Sequence, residues 1–180
     1  MSEQYPEYEK YLKDHCLNVR KAFYWIRKSC PDILKDPNKN DYEWQILLHD
    51  DTRTVDDEYH AYYDYFYNRD KNGKPKNKFA EKNFRIAKLA HYHRNPDHWQ
   101  HWILYDKGLS IPLDMPYIFI VEMICNWWSY SWLEGDLWTI FDWYEENKKK
   151  MKLSKRTRDQ VEDILDKLAK AIERVRGPRK

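Results

Sequence analysis

Between Ser154 and Gly177 the chain repeats Val161, Ile164, Leu165, Leu168, Ala169, Ile172 and Val175 at three- and four-residue spacing. That period matches the α-helical turn, and a strand could not bury it because strand side chains alternate between faces. Ser154 or Thr157 is placed to cap the start and Gly177-Pro178 to stop the end, so an amphipathic helix is predicted over 154–176. Glycine scarcity points the same way. Four Gly in 180 residues leave little material for tight hairpins, and neither a P-loop nor a dinucleotide fingerprint occurs.

The same spacing predicts helices at about 7–29, 41–49, 56–68, 80–94, 96–105, 116–128 or beyond, and 136–147. Asp41 is a plausible N-cap, and Pro96 and Pro116 sit where proline opens a helix. Polar or proline-rich stretches at Lys35–Asp41, Arg69–Lys78 and Gly108–Pro116 read as loops, and no segment alternates well enough to be a strand. The expectation is an all-α, single-domain irregular bundle of about seven to eight helices spanning residues 1–180.

Thirty aromatic side chains (nine Trp, fifteen Tyr, six Phe) let a core be built from few positions. The net charge of +2 suggests no global electrostatic partner, so nucleic acid is not expected. The basic runs at Lys148–Arg158 and Arg174–Lys180 read as solvated helix ends. No apolar run approaches the ~20 residues that cross a bilayer. Cys16, Cys30 and Cys125 form no CxxC pair and no secretory signal is apparent, so reduced thiols in a cytoplasmic protein are expected.

His49-Asp50 carries the chemistry. Adjacent helical residues do not share a face, so the two converge only at a bend or helix end, where a divalent metal would hold both. Further potential ligands at inward or end-of-helix positions are His15, His91, His98, and Glu122 with Asn126 at i and i+4. They come from different predicted helices, as metal sites in helical bundles do. His60, His93 and His101 are read as ordinary hydrogen-bonded or surface residues, Cys16 as a small buried apolar residue, and the tryptophans as core.

The order H, HD, H, H, then an acid or amide resembles the HD-domain metal-dependent phosphohydrolase superfamily. A closer resemblance is to DUF5662, a family of uncharacterised bacterial and phage proteins. The matching blocks are His49-Asp50 with Glu58-Tyr59, Tyr65-Phe66-Tyr67, and His91-x-x-Arg94-Asn95-x-x-His98-Trp99-Gln100-x-Trp102. Met115-Pro116, Glu122 to Trp128, Trp143-Tyr144-x-x-Asn147-Lys148 and Lys155-x-Thr157-Arg158 complete the set. The resemblance implies an HD-like helical fold and brings no established activity. Three positions depart from the family pattern: Asn126 stands where Asp is usual, Thr52-Arg53 where Ser-Lys is usual, and Asp97 replaces one of two adjacent histidines.

From this resemblance we expect a divalent metal (Mn, Fe, Ni, Co or Zn) held by His15, His49, Asp50 and Asn126, with His91 and His98 completing a second metal or binding phosphate. Asp50, Glu58 and Glu122 are the expected catalytic carboxylates, the latter two as base or as orienters of metal-bound histidines. Arg53, Arg94 and Trp99 are the expected contacts to a small phosphorylated molecule or nucleotide, and Lys88 is a further candidate for neutralising phosphate charge. The expected activity is metal-dependent phosphoester hydrolysis in a bacterial cell or phage-infected host. The alternative is a catalytically degenerate HD-like binding or host-interaction protein with at most a structural metal, which Asn126 favours.

Overall fold

A computed structural model describes residues 5–35 and 41–179, and in it the apolar period becomes seven α-helices among the described residues. They are α1 (Pro6–Ser29), α2 (Tyr42–Leu47), α3 (Asp56–Phe66), α4 (Ala80–Arg94), α5 (Tyr117–Glu134), α6 (Thr139–Asn147) and α7 (Lys155–Arg176). Capping follows side-chain chemistry. The Asp41 carboxylate accepts from the Trp44 N–H at 3.0 Å, and the Ser154 hydroxyl accepts from the Thr157 N–H at 3.1 Å. Most of the loop expected at Lys35–Asp41 lies outside the described residues.

One segment corrects the sequence reading. The helix expected over 96–105 shrinks to a single 3₁₀ turn at Trp99–Trp102, and the loop expected from Gly108 becomes the second half of a hairpin. Strands β1 (Ile103–Asp106) and β2 (Leu109–Pro112) pair antiparallel, with Leu104 opposite Ile111 and Tyr105 opposite Ser110. Lys107 and Gly108 take φ of 47° and 80°, the two left-handed residues that a type I′ turn requires. Ile103, Leu104 and Tyr105 put apolar side chains on both faces of a four-residue strand, which erased the alternation that would have announced it.

Packing divides into two clusters. In the larger, Val19, Phe23 and Ile26 of α1 meet Ile120, Ile124 and Trp128 of α5, closed off by Ile164 and Leu168 of α7. Each such side chain, fully buried, contributes roughly 1.5–3 kcal/mol. The smaller cluster is aromatic: Tyr8 of α1, Ala61 and Tyr62 of α3 and Ala87 of α4, with Phe84 edge-on to Tyr62 at 5.1 Å. His15 lies on α1 between the stretches that serve each cluster, so a polar layer separates the aliphatic and aromatic halves. None of the described helices is long and apolar enough to cross a membrane.

Trp128 anchors the larger cluster. Fully buried, it packs edge-on against Trp25 and Trp132 and donates its indole N–H to the Leu137 carbonyl at 3.0 Å. Trp128→Ala is expected to lower the unfolding free energy by about 3–5 kcal/mol in urea titrations. A loss below about 1 kcal/mol would contradict this packing.

Candidate metal centre

After α2 the chain turns through Leu48, His49 and Asp50, and Asp50 adopts a left-handed conformation (φ 59°, ψ 16°). Non-glycine residues take this conformation at a cost, Asp among those that tolerate it best. The turn is what brings two neighbouring side chains to one point: His49 Nε2 lies 3.8 Å from Asp50 Oδ2. Two other imidazoles join them. His15 Nε2 of α1 is 3.3 Å from Oδ2, and His91 Nε2 of α4 is 3.4 Å from Oδ1.

Behind each ring the other nitrogen is held. His49 Nδ1 donates to Glu122 Oε1 at 3.0 Å, and Gln45 donates to the second oxygen of Glu122 at 2.9 Å. His91 Nδ1 donates to Glu58 Oε2 at 2.9 Å, and Arg94 grips Glu58 Oε1 at 2.8 Å. The Ser129 hydroxyl gives its proton to the Asn126 carbonyl at 2.7 Å, which leaves its oxygen to accept from His15 Nδ1 at 3.3 Å. With Nδ1 as the donor, the neutral form of His15, His49 or His91 turns its Nε2 lone pair toward Asp50. His98 joins the cluster through a hydrogen bond between its Nε2 and that of His91, 2.9 Å apart.

Lone pairs therefore converge on a carboxylate that is itself only an acceptor. The Asp50 side chain is fully buried and neither of its oxygens receives a hydrogen bond. Arg53 Nε lies 2.9 Å from Oδ2 at an angle that makes an ion pair without a hydrogen bond. Burial opposes the charge on Asp50, but Arg53, His49, His15 and His91 outweigh it and hold the acid well below the usual carboxylate range. Burial likewise lowers the proton affinity of His15 and, together with His91, that of His98.

Such a cluster lacks positive charge at its centre, and imidazole with carboxylate suits Zn, Mn, Fe, Co or Ni. Two groups could hold an ion: His15, His49 and Asp50, and Asp50, His91 and His98, with ligand atoms inside each group within 4.8 Å of one another. Asp50 belongs to both and presents a different oxygen to each. A third group, His49, Asp97 and Glu122, meets the same distance limit, but it engages the Nδ1 side of His49 and reads as hydrogen-bonding support.

The remaining expected residues divide. Glu58 and Glu122 orient histidines, which leaves neither placed as a free base. Arg53 borders the cluster with its guanidinium 5.0 Å over the Tyr62 ring. Arg94 faces Asp57 and Glu58 at the surface, and Trp99 packs against the larger core cluster beside a separate cavity of about 220 Å³. Asn126 turns its amide nitrogen to Asp97 at 3.0 Å. His60 meets Tyr5, His101 meets a backbone carbonyl, His93 is exposed, and Cys16, half-buried, donates its thiol to the His49 carbonyl.

Sequence reading passed over Ser129, Gln45 and the burial of Asp97. The first two were findable by helical spacing: Ser129 lies seven residues after Glu122, and Gln45 four before His49. Asp97 stood in view beside His98, but no periodic pattern marked it as buried.

A cavity of about 520 Å³ opens beside the cluster, bordered by His91, His98 and Arg53 and walled by tyrosine and phenylalanine rings. A model of the family of unknown function DUF5662 matches residues 4–167. The chain belongs to that family. No curated protein and no solved structure matches it. The residues that build the cluster, His15 through Ser129, all fall inside the span shared by DUF5662.

Without a metal, a proton can supply part of the missing charge. Burial opposes protonation of His49, yet Asp50, Glu122 and Asp97 overcome it and push the imidazole up to about 9 from 6.5. The folded state thus binds this proton more tightly than the unfolded one. The stability it confers is complete below about pH 6.5 and is lost as pH rises toward 9. The urea midpoint of metal-free protein should fall between pH 7 and 9, and His49→Asn should flatten that slope. A midpoint that rises over the window in wild type would contradict the assignment.

Proposed function

We propose that this protein is a metal-dependent phosphohydrolase of the HD-like type, acting on a small phosphoester such as a nucleotide. The observation that carries this reading is one buried carboxylate shared by two histidine pairs beside an open cavity. The residue order H, HD, H, H along the chain supports it. A divalent ion bound there would polarise a phosphoryl oxygen and lower the pKa of water toward neutrality.

The protein's own contribution is orientation and charge. Glu122, Glu58 and Ser129 hold each histidine by Nδ1, so Nε2 is the nitrogen turned toward an ion, which at His49 would displace a proton. Arg53 supplies a cation between the cluster and the cavity, where a phosphate oxygen would meet it. The aromatic walls exclude water from the organic part of the substrate.

A second reading rests on Asn126. Its amide is turned to Asp97, so α5 offers no carboxylate at that turn, and the same cluster could hold a structural metal in a binding protein. Elemental analysis of tag-free protein decides first: wild type should carry divalent metal and His49→Ala should not. No metal in wild type, and none recovered on adding Mn, Fe, Co, Ni or Zn, would sink the proposal. Turnover in a nucleotide and phosphoester screen, lost in Asp50→Ala, supports the enzyme; metal without turnover supports the binding reading.

Ser129→Ala removes the hydrogen bond behind His15, together with the hydroxyl's bond to the Asn126 carbonyl within α5, and should weaken metal binding by about 10–100-fold with the fold intact. Unchanged affinity in a chelator competition would show that His15 needs no such support.

A further inference from the structure

The aromatic cavity contains a polar group that the histidine cluster does not use. Tyr8 is 1% exposed, lines the cavity, and its hydroxyl is buried without a hydrogen-bond partner. Burying a phenol O–H unpaired is costly, and native structures rarely do so without a reason. Burial raises its pKa, so it stays a neutral donor across the working range. It shares the cavity lining with Arg53.

The charged residues of the lining have one sign. Arg53 and Lys88 are its cations, His91 and His98 border it, and no carboxylate is among its lining residues. Lys88 stands over the Phe84 and Tyr92 rings, 5.8 and 5.6 Å from their centroids, at the aromatic wall. An unpaired donor and two cations in an otherwise aromatic chamber describe a receptor for an oxyanion attached to a planar apolar group.

We propose that Tyr8, with Arg53 and Lys88, forms an oxyanion cradle that binds the phosphate of an aryl or nucleoside phosphomonoester, whose ring lies against the aromatic walls. This deepens the hydrolase reading and rests on it for the phosphate's destination. It assigns Tyr8 as a substrate-binding residue. Lys88, a hydroxyl donor and a guanidinium shared with Asp50 suit the small charge of a monoester better than the longer charge of a polyphosphate. The cavity's 520 Å³ lies within the range typical of small-molecule sites.

The test uses full-length protein, metal-free and Mn-loaded, titrated calorimetrically with phenyl phosphate, inorganic phosphate and phenol. Wild type should bind phenyl phosphate more tightly than inorganic phosphate, and phenol weakest. Tyr8→Phe keeps the ring and its packing and should weaken phenyl phosphate by about tenfold or more, because a hydrogen bond to a charged group is lost. The same variant should melt at a temperature equal to or above that of wild type, because the hydroxyl it removes is unpaired in the free protein. A purely structural tyrosine would show the opposite pair: lower melting temperature and unchanged affinity.

Equal phenyl phosphate affinity in wild type and Tyr8→Phe overturns the cradle, as does no binding in either metal state. If metal and turnover are found but Tyr8→Phe leaves KM unchanged, the cradle fails while the hydrolase stands. If phosphate binding depends on Tyr8 in a protein that takes no metal, the cradle stands while the hydrolase falls.

Discussion

The Asp50 carboxylate is an anion taken wholly out of water, on a residue whose backbone is held in a left-handed conformation. An isolated buried charge would cost several kcal/mol, so whatever surrounds it must be arranged to tolerate it. Two helices and a turn answer by bringing imidazoles from α1, α4 and the turn after α2 to within 4 Å, and Arg53 closes the remaining side. The polar layer between the two clusters exists because this anion is there. Removing the anion would leave four histidines with nothing to face.

The aliphatic and aromatic halves do different work around that layer. The aliphatic half, built on α1, α5 and α7, fixes the helices that carry His15, Glu122 and Ser129. The aromatic half, built on α3 and α4, is less completely filled and leaves the chamber that reaches His91 and His98. Tyrosine suits such a wall, since a ring can pack against neighbours while its hydroxyl stays available for hydrogen bonding.

Much of this was legible in the sequence because helical periodicity is a local signal. The stripe on α7, the caps Asp41 and Ser154, and the inward position of His15 all follow from spacing alone. His49-Asp50 announced a helix end for the same reason: neighbours on a regular helix cannot meet. The β1–β2 hairpin was hidden because its strands are four residues long and apolar on both faces, while Lys107-Gly108 is a weaker turn signal than Asn-Gly. The contact between Asp97 and Asn126 was hidden because it depends on how α5 packs against the segment after α4. No spacing rule reports a contact of that kind.

The link from Arg94 through Glu58 to His91 spans the protein's surface and its interior in two hydrogen bonds. Arg94 has 37% of its side chain in solvent, whereas Glu58 and His91 are sealed. By sequence drift or by surface-charge engineering, position 94 looks free to vary, yet any residue placed there sets how firmly an imidazole inside is aimed. The boundary of the functional site in this protein is therefore drawn by hydrogen bonds, and it extends to the solvent.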